Sequence, residues 1–163
     1  MSKVIGFLEP EEENGYLSNW YHCDFFLAGK RFTSSEQYFM YRKALFFNDE
    51  GAAARIMATN DCRTIHALGR KVHNYNDRLW NGVRQLVMYE GLLAKFSQNP
   101  DLKEKLLATG NVILAETSLN DRIWGIGLRA NDTRIYNLSK WNDGRNLTGF
   151  TLMKVREDLA KSL

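Results

Sequence analysis

The sequence predicts an α+β fold, a single helix-rich domain with a small sheet. Three observations support it. Several segments place apolar residues at the spacing of an amphipathic helix. Only a few short runs have the composition of strands, and these do not alternate regularly with helices, which argues against a βαβ architecture. At 163 residues the chain is expected to form one domain spanning 1–163.

The predicted strands are short. Residues 4–8 form an apolar run, and residues 112–115 have the composition of a buried strand. Residues 25–27 and 30–32 flank Ala28-Gly29, a two-residue connection that is typical of a β-hairpin. The small sheet is therefore expected to use these segments.

The predicted helices begin at polar N-cap residues. The first, over about 33–47, opens with Thr33 or Ser34 followed three residues later by Glu36 or Gln37, so either register makes a capping box. Similar start signals occur later in the chain. They are Asn48-Asp49, Asn60-Asp61, Asn76-Asp77 and Pro100, with a final helix over roughly 147–161.

The longest predicted helix, about 77–98, carries apolar residues at helical spacing. These residues are expected to form the face that packs against the core, with Trp80 beside them. They are Leu79, Val83, Leu86, Val87, Leu93 and Phe96.

Composition narrows the class of function. Hydrophobic residues at 44% and charged residues at 25% are ordinary globular values. A net charge of +3, without a long basic run, does not favour general nucleic-acid binding but is compatible with a small phosphate-bearing ligand. Cys23 and Cys62 are isolated, which favours a reducing, cytoplasmic setting. We find no signal-peptide pattern and no apolar run long enough to span a membrane.

Motifs for cofactors are missing from the sequence. His22, His66 and His73 share no metal-ligand spacing. The pair Gly125 and Gly127 is too short for a dinucleotide-binding fingerprint, and no nucleophile elbow or P-loop occurs. We therefore expect neither a metal nor a cofactor.

One face of the first helix mixes charged and apolar side chains. Glu36, Phe39, Met40 and Lys43 follow the i, i+3, i+4, i+7 spacing of a single helix face. This mixture suggests that the carboxylate and the ammonium look into a partly enclosed pocket, separated by roughly 10 Å along the helix. The alternative is that Glu36 only caps the helix and Lys43 extends past its neighbours to water.

The residue types suit chemistry at an anomeric carbon. The carboxylates Glu36 and Asp121, with Trp80 and Trp124 as flat walls, fit a reaction with an oxocarbenium-like transition state and a leaving group that needs a proton. A desolvated lysine such as Lys43 could also form a Schiff base with a sugar aldehyde. The alternative places both tryptophans in the core and Asp121 in an ordinary turn.

Several short segments occur along the chain in a recognisable order. They are Leu17-Ser18-Asn19-Trp20, residues 36–43, Trp80 in a helix ending Leu93-Ala94-Lys95-Phe96, Asn120-Asp121, Trp124-Gly125, Gly144-Arg145-Asn146 and Gly149. In order and spacing the chain resembles the NADAR superfamily, and most of all its YbiA-type N-glycosidases, from about residue 7 to 157.

The resemblance implies an enzyme that hydrolyses the N-glycosidic bond of a ribosyl phosphate compound, such as an early intermediate of riboflavin biosynthesis. It implies that Lys43 attacks ribose C1 to form a Schiff base. Glu36 would be the acid/base that serves the leaving nitrogen and water, and Asp121 would be a second catalytic carboxylate. The implied substrate-binding residues are Asn19, Trp20, Trp80, Trp124, Gly125, Arg145 and Asn146.

Two other functions stay open. Other superfamily members remove ADP-ribose from guanine, so the partner could be an ADP-ribosylated nucleotide or nucleic acid instead of a small ribosyl phosphate. Apolar Ile126 and Leu128 stand where YbiA-type members usually have a more polar run, and we expect them to line the leaving-group side and favour a flat base. A non-catalytic ADP-ribose or nucleotide binder is the third reading, against which the presence of Glu36 and Lys43 argues.

Overall fold

The computed structural model describes residues 2–162. Within them the chain forms two compact units, one made of the residues before His22 together with those after Asn99, the other of His22–Asn99. The fold is α+β, as predicted, and the expectation of a single domain stays a prediction. In chain order the elements are β1 Val4–Phe7, β2 Phe25–Leu27, β3 Lys30–Phe32, α1 Ser35–Phe46, α2 Glu50–Met57, α3 Cys62–Gly69, α4 Asp77–Gln98, α5 Pro100–Ala108, β4 Ile113–Glu116 and α6 Leu147–Lys161.

The predicted hairpin is confirmed. β2 and β3 are antiparallel, with Phe25 opposite Phe32 and Leu27 opposite Lys30. Ala28 and Gly29 both have positive φ, 49° and 73°, which is the conformation of the two-residue turns that match the twist of paired strands. The hairpin leads the chain directly into α1.

The two capping registers predicted for α1 resolve to Ser34. Its hydroxyl accepts a hydrogen bond from the Gln37 N–H at 3.1 Å, which satisfies a donor at the helix start. The Gln37 side chain reaches back and accepts from the Thr33 N–H at 2.9 Å. Its amide nitrogen donates to the carbonyls of Ile56 and Thr59, so this buried glutamine also joins α1 to the end of α2.

The prediction for the buried face of α4 is wrong in part. Leu79 and Leu86 are 57% and 61% exposed. The inward face instead includes the polar Arg84 and Lys95 together with Gly91, so a search for apolar residues alone selects a neighbouring stripe. The buried residues are Trp80, Arg84, Val87, Met88, Gly91, Leu92, Ala94, Lys95 and Phe96.

In the other unit, β1 and β4 pair in parallel, from Val4 opposite Ile113 to Phe7 opposite Glu116. Helix α6 packs against β4. Beside this pair lies an apolar core cluster. It consists of Ala115, Ile126, Leu128, Ile135 and Trp141.

This cluster corrects one expectation. Ile126 and Leu128 are completely buried, so they contribute to the core of the unit and do not line a leaving-group site. Their apolar character is explained by packing. It therefore carries no information about the base that a substrate would contain.

Among the described residues, no helix combines the length and the apolar character needed to cross a membrane.

Candidate active site

The side chain of Glu36 lies in the first turn of α1 and is nearly enclosed. It is 7% exposed, and its Oε1 atom is 3.0 Å from Nδ1 of His66. His66 belongs to the last turn of α3, and its own side chain is 42% exposed. A buried carboxylate is therefore in contact with an imidazole that reaches solvent.

The close packing of α1 against α3 brings these two groups together. A Cβ atom on Gly69 would lie 2.1 Å from Sδ of Met40, so a larger residue there would force the Met40 side chain to move. Gly69 follows His66 by three residues, and Met40 follows Glu36 by four, so the contact lies one helical turn along from the pair.

Lys43 lies two turns after Glu36 on the same helix. Its Nζ atom is 4.4 Å from the centroid of the Tyr75 ring. The pKa of Lys43 is lowered to about 8, chiefly by burial and also by the nearby cations Arg70 and Arg84, whereas Glu36 and Asp77 partly oppose the shift. With this pKa about a tenth of the amine is neutral at pH 7, which is the form that attacks a carbon centre.

Arg84 is a buried cation held by a carboxylate. Its guanidinium donates to Oδ1 of Asp77 at 2.9 Å, with the arginine side chain 5% exposed. The Tyr75 hydroxyl donates to the same oxygen at 2.7 Å. Asp77 thus fixes both the aromatic ring beside Lys43 and one of the cations that disfavours its protonated form.

Trp80 contributes mainly to the core of its unit. It is 3% exposed. Its ring contacts those of Phe39, Phe46 and Phe47, with centroids 5.3, 5.6 and 6.2 Å away. Phe39 belongs to the mixed face of α1, so Trp80 supports that face from behind. A direct contact of Trp80 with substrate stays a prediction.

Asp121, in the other unit, organises a loop. Its Oδ1 atom accepts hydrogen bonds from the N–H groups of Ile123 at 2.9 Å and Trp124 at 2.8 Å. This is the turn that the alternative interpretation expected. The half-buried Trp124 is oriented through the same contact, and the catalytic role of Asp121 stays a prediction.

The loop around Asp121 caps the N-terminus of α6. The N–H groups of residues 145–148 donate to the carbonyls of residues 122–125 at 2.8 to 3.2 Å, which satisfies donors that a helix start would otherwise leave free. Asn146 has a φ of 51° and is fully buried. Its side-chain amide accepts from the Glu116 N–H at 3.0 Å and donates to the Leu114 carbonyl at 2.8 Å.

These contacts give Asn146 a structural role, because it joins β4 to the start of α6. Arg145, next to it, is exposed. Gly125 lies where a Cβ atom would come within 2.8 Å of the Asp121 carbonyl and 2.9 Å of the Glu116 carbonyl. Glycine is therefore required there for close backbone approach, and the substrate contacts assigned to these three residues stay predictions.

Asn19 and Trp20 lie just after a short 3-10 turn, Gly15–Leu17. Asn19 is buried, and Trp20 is half-buried. The N–H of Trp20 donates to the Ser18 hydroxyl at 3.3 Å. Their predicted contacts with a ligand are likewise untested by the geometry.

The sequence reasoning missed three residues around Glu36 and Lys43. The sequence predicts no metal-ligand spacing for His66, and no local pattern links it to a carboxylate 30 positions earlier. Arg84 and Tyr75 are also absent from the predicted site. A signal did exist for Arg84, which stands four residues after Trp80 and seven after Asp77 and so shares their helix face.

Over residues 2–162, no group of three or more His, Cys, Asp or Glu side chains is arranged to hold a metal ion. Neither Cys23 nor Cys62 takes part in a disulfide. The Cys62 thiol lies 3.4 Å from the Ser34 hydroxyl.

Comparison with known proteins places this arrangement in a family. The model of the NADAR domain matches residues 6–160. N-glycosidase R617 of Acanthamoeba polyphaga mimivirus is 42% identical over 147 residues, which are 87% of this chain and 86% of that protein. N-glycosidase YbiA of Escherichia coli (strain K12) is 31% identical over 157 residues, 96% of this chain and 89% of that protein.

Two further relatives inform the fold and the function. The NMR structure of the E. coli protein YbiA superimposes with a TM-score of 0.81 at 30% identity, covering 99% of this chain and 88% of that one. The riboflavin biosynthesis protein VVA0006 of Vibrio vulnificus (strain YJ016) is 33% identical over 98% of this chain, which spans 39% of that protein. The fold is that of YbiA-like α+β proteins. The chain belongs to the NADAR family.

Proposed function

We propose that this NADAR-family enzyme is an N-glycosidase that hydrolyses the N-glycosidic bond of a ribosyl phosphate compound of the kind formed in riboflavin biosynthesis. The observation that carries the proposal is the pairing, on one helix, of the enclosed carboxylate Glu36 with Lys43, whose pKa is lowered to about 8. Two relatives named N-glycosidase and one named for riboflavin biosynthesis support this choice.

In this mechanism Lys43 is the nucleophile and Glu36 is the general acid. The neutral amine of Lys43 attacks C1 of the ribose while Glu36 gives its proton to the leaving nitrogen, so the C1–N bond breaks and the free base departs. A proton then passes from the new amine adduct to the ring oxygen, and the C1–O bond opens to give a protonated Schiff base. Glu36 is now a carboxylate.

Water completes the cycle. It adds to C1 of the Schiff base and gives its proton to the Glu36 carboxylate. The resulting carbinolamine expels Lys43 as the amine, and the sugar aldehyde closes to the free ribose phosphate. The net reaction consumes one water and returns both side chains to their starting protonation states.

Trp124 and Arg145 remain proposed contributors to substrate binding, and the catalytic role that the family resemblance implies for Asp121 stays an expectation. The ordered loop around Asp121 supports a defined position for Trp124. We assign no chemical step to Asp121, because its carboxylate already accepts two backbone hydrogen bonds.

The substrate is tested by incubating the protein separately with ribosylaminopyrimidine 5′-phosphates, ADP-ribosylated guanosine and NAD, and measuring free base by chromatography. We expect release from the pyrimidine compounds. Release from ADP-ribosylated guanosine alone would overturn the substrate class but keep the enzyme class. If no base is released from any of the three, the catalytic proposal fails, and binding of ADP-ribose by calorimetry would then support the binder.

A further inference from the structure

We propose that His66 is a positioning residue for Glu36: it holds the carboxylate through Nδ1 and links this enclosed group to protons in solvent. The inference rests on the proposed acid/base role of Glu36 and names a residue that the family resemblance did not supply. The contact of 3.0 Å is within ordinary hydrogen-bond range.

The two side chains differ in exposure, and this difference sets the direction in which a proton passes between them. Glu36 is 7% exposed and cannot exchange protons readily with bulk water, whereas the imidazole beside it is 42% exposed. An imidazole has two ring nitrogens that can bind and release protons, and in His66 Nδ1 is the nitrogen in contact with the carboxylate. A proton can therefore reach Glu36 from solvent through His66.

The helices hold this geometry firmly. His66 lies in the last turn of α3, where α3 packs so closely on α1 that Gly69 leaves no space for a side chain beside Met40. Glu36 lies at the start of α1, next to the Ser34 cap. Neither side chain is on a loop, so their separation is set by the packing of two helices.

Other titratable groups surround the pair. Cys62, at the start of α3, is coupled electrostatically to Glu36 and Lys95, and burial raises the pKa of its thiol. Lys43 on α1 is coupled to Glu36 as well, and Arg70, Arg84 and Asp77 act on Lys43 in turn. Among these groups His66 is the one in hydrogen-bond contact with the Glu36 carboxylate.

The pair has a consequence for pH dependence. The first step needs one proton on the Glu36–His66 pair that can be delivered to the leaving nitrogen. Imidazoles titrate near pH 6.5 and carboxyls about two units lower, so an imidazole lets the pair keep a proton into the neutral range. Without it, the carboxyl alone must hold that proton, and activity is confined to lower pH.

The main experiment compares pH profiles of kcat for wild type and His66→Asn. The asparagine amide reaches the position of Nδ1 and keeps a hydrogen bond to Glu36, but it does not titrate. We expect KM to change little, kcat at pH 7.5 to fall at least about tenfold, and the alkaline decline to move to lower pH. A profile that superimposes on wild type, or one lowered equally at every pH, would overturn the proposal.

A second variant tests the same proposal if His66→Asn does not fold. His66→Ala should lose activity in the same way and regain part of it when free imidazole is added, because imidazole can occupy the vacated space. His73→Asn is the matched control: His73 lies 3.6 Å from Asp49 on the same unit and is 79% exposed, and its profile should equal that of wild type. Absence of imidazole rescue would contradict the relay.

A third measurement does not depend on turnover and so separates this inference from the proposed function. NMR titration of the imidazoles should show the His66 midpoint move to lower pH in Glu36→Gln, because the nearby carboxylate stabilises the imidazolium. The His73 midpoint should stay in place. An unchanged His66 curve would overturn the pairing even if the enzyme hydrolyses its substrate, whereas a shifted curve without base release would overturn only the function.

Discussion

Nζ of Lys43 lies 4.4 Å from the centroid of the Tyr75 ring, and the hydroxyl of that tyrosine donates to Asp77 at 2.7 Å. Asp77 also accepts from the buried guanidinium of Arg84 at 2.9 Å. A continuous set of contacts therefore runs from the amine to a fixed cation. Burial and the positive charge of Arg84 disfavour the ammonium form of Lys43, whereas the charge of Asp77 favours it.

Replacing Lys43 by alanine should remove the nucleophile. We expect kcat to fall at least about a hundredfold, and borohydride treatment during turnover, followed by mass spectrometry, should trap a sugar adduct on wild type only. Lys95→Met is the matched control. Lys95 also has a pKa lowered to about 8 but is fully buried, so the variant should still be trapped. Trapping of Lys43→Ala would contradict the assignment.

Replacing Arg84 by methionine should raise the pKa of Lys43. Removal of a neighbouring cation favours the ammonium, so less neutral amine is present at pH 7 and the rise of activity with pH should move to higher pH. Arg84→Lys keeps the charge and should move the profile less. Arg78→Met removes an exposed charge from the same helix and serves as the control. A shift of equal size in Arg78→Met would show that the effect is not local.

The sequence predicted the elements well because their start signals are local. Asp49, Asp61 and Asn76 accept from backbone N–H groups at the starts of α2, α3 and α4, and each follows directly from side-chain chemistry. The buried face of α4 is harder to predict from the sequence. Arg84 and Lys95 lie inward there. Arg84 pairs with Asp77 on the same helix, whereas Lys95 is near Cys23 and Cys62, which are distant in sequence.

In the candidate site, too, some features can be predicted from the sequence and others cannot. The placement of Glu36 and Lys43 on one face follows from a period of 3.6 residues. The contact of Glu36 with His66 depends on how α1 and α3 pack, and no local pattern encodes it. The prediction for Ile126 and Leu128 is wrong for a related reason, since an apolar residue after a glycine can line a site or fill a core.

Lys95 gives a prediction for stability. Burial lowers its pKa to about 8, whereas the unfolded chain has an ordinary lysine near 10.4. The buried charge therefore opposes folding at pH values below 8, by an amount on the order of 3 kcal/mol, and this cost declines from pH 8 to about 10.5. Lys95→Met should raise Tm by roughly 6–12 °C at pH 7.

The pH dependence of that effect is its check. Thermal unfolding followed by circular dichroism should show a difference between Lys95→Met and wild type that is largest below pH 8 and smaller at pH 10. A variant that is less stable than wild type at pH 7 would show that contacts of the lysine outweigh its desolvation.

Gly125 gives a second prediction for stability. A methyl group there would lie 2.8 Å from the Asp121 carbonyl, so Gly125→Ala should disturb the loop and lower the free energy of unfolding by about 1–3 kcal/mol. Gly82→Ala is the control, because Gly82 lies within α4 with no atom near the added methyl. It should raise stability by about 0.5–1 kcal/mol. Denaturant titration of both variants measures the difference, and equal stability of the two would contradict the requirement for glycine at 125.

The most direct measurement of the proposed mechanism is the rate of free-base release from a ribosylaminopyrimidine 5′-phosphate by wild type and Glu36→Gln at the same pH. The glutamine keeps the size of the side chain and its approach to His66 but cannot donate a proton as an acid. Glu90→Gln, which alters a carboxylate bonded to Tyr38 and Arg42, is the control. We predict release by wild type and Glu90→Gln, and release at least about a hundredfold slower by Glu36→Gln. Release by Glu36→Gln at the wild-type rate would contradict the account.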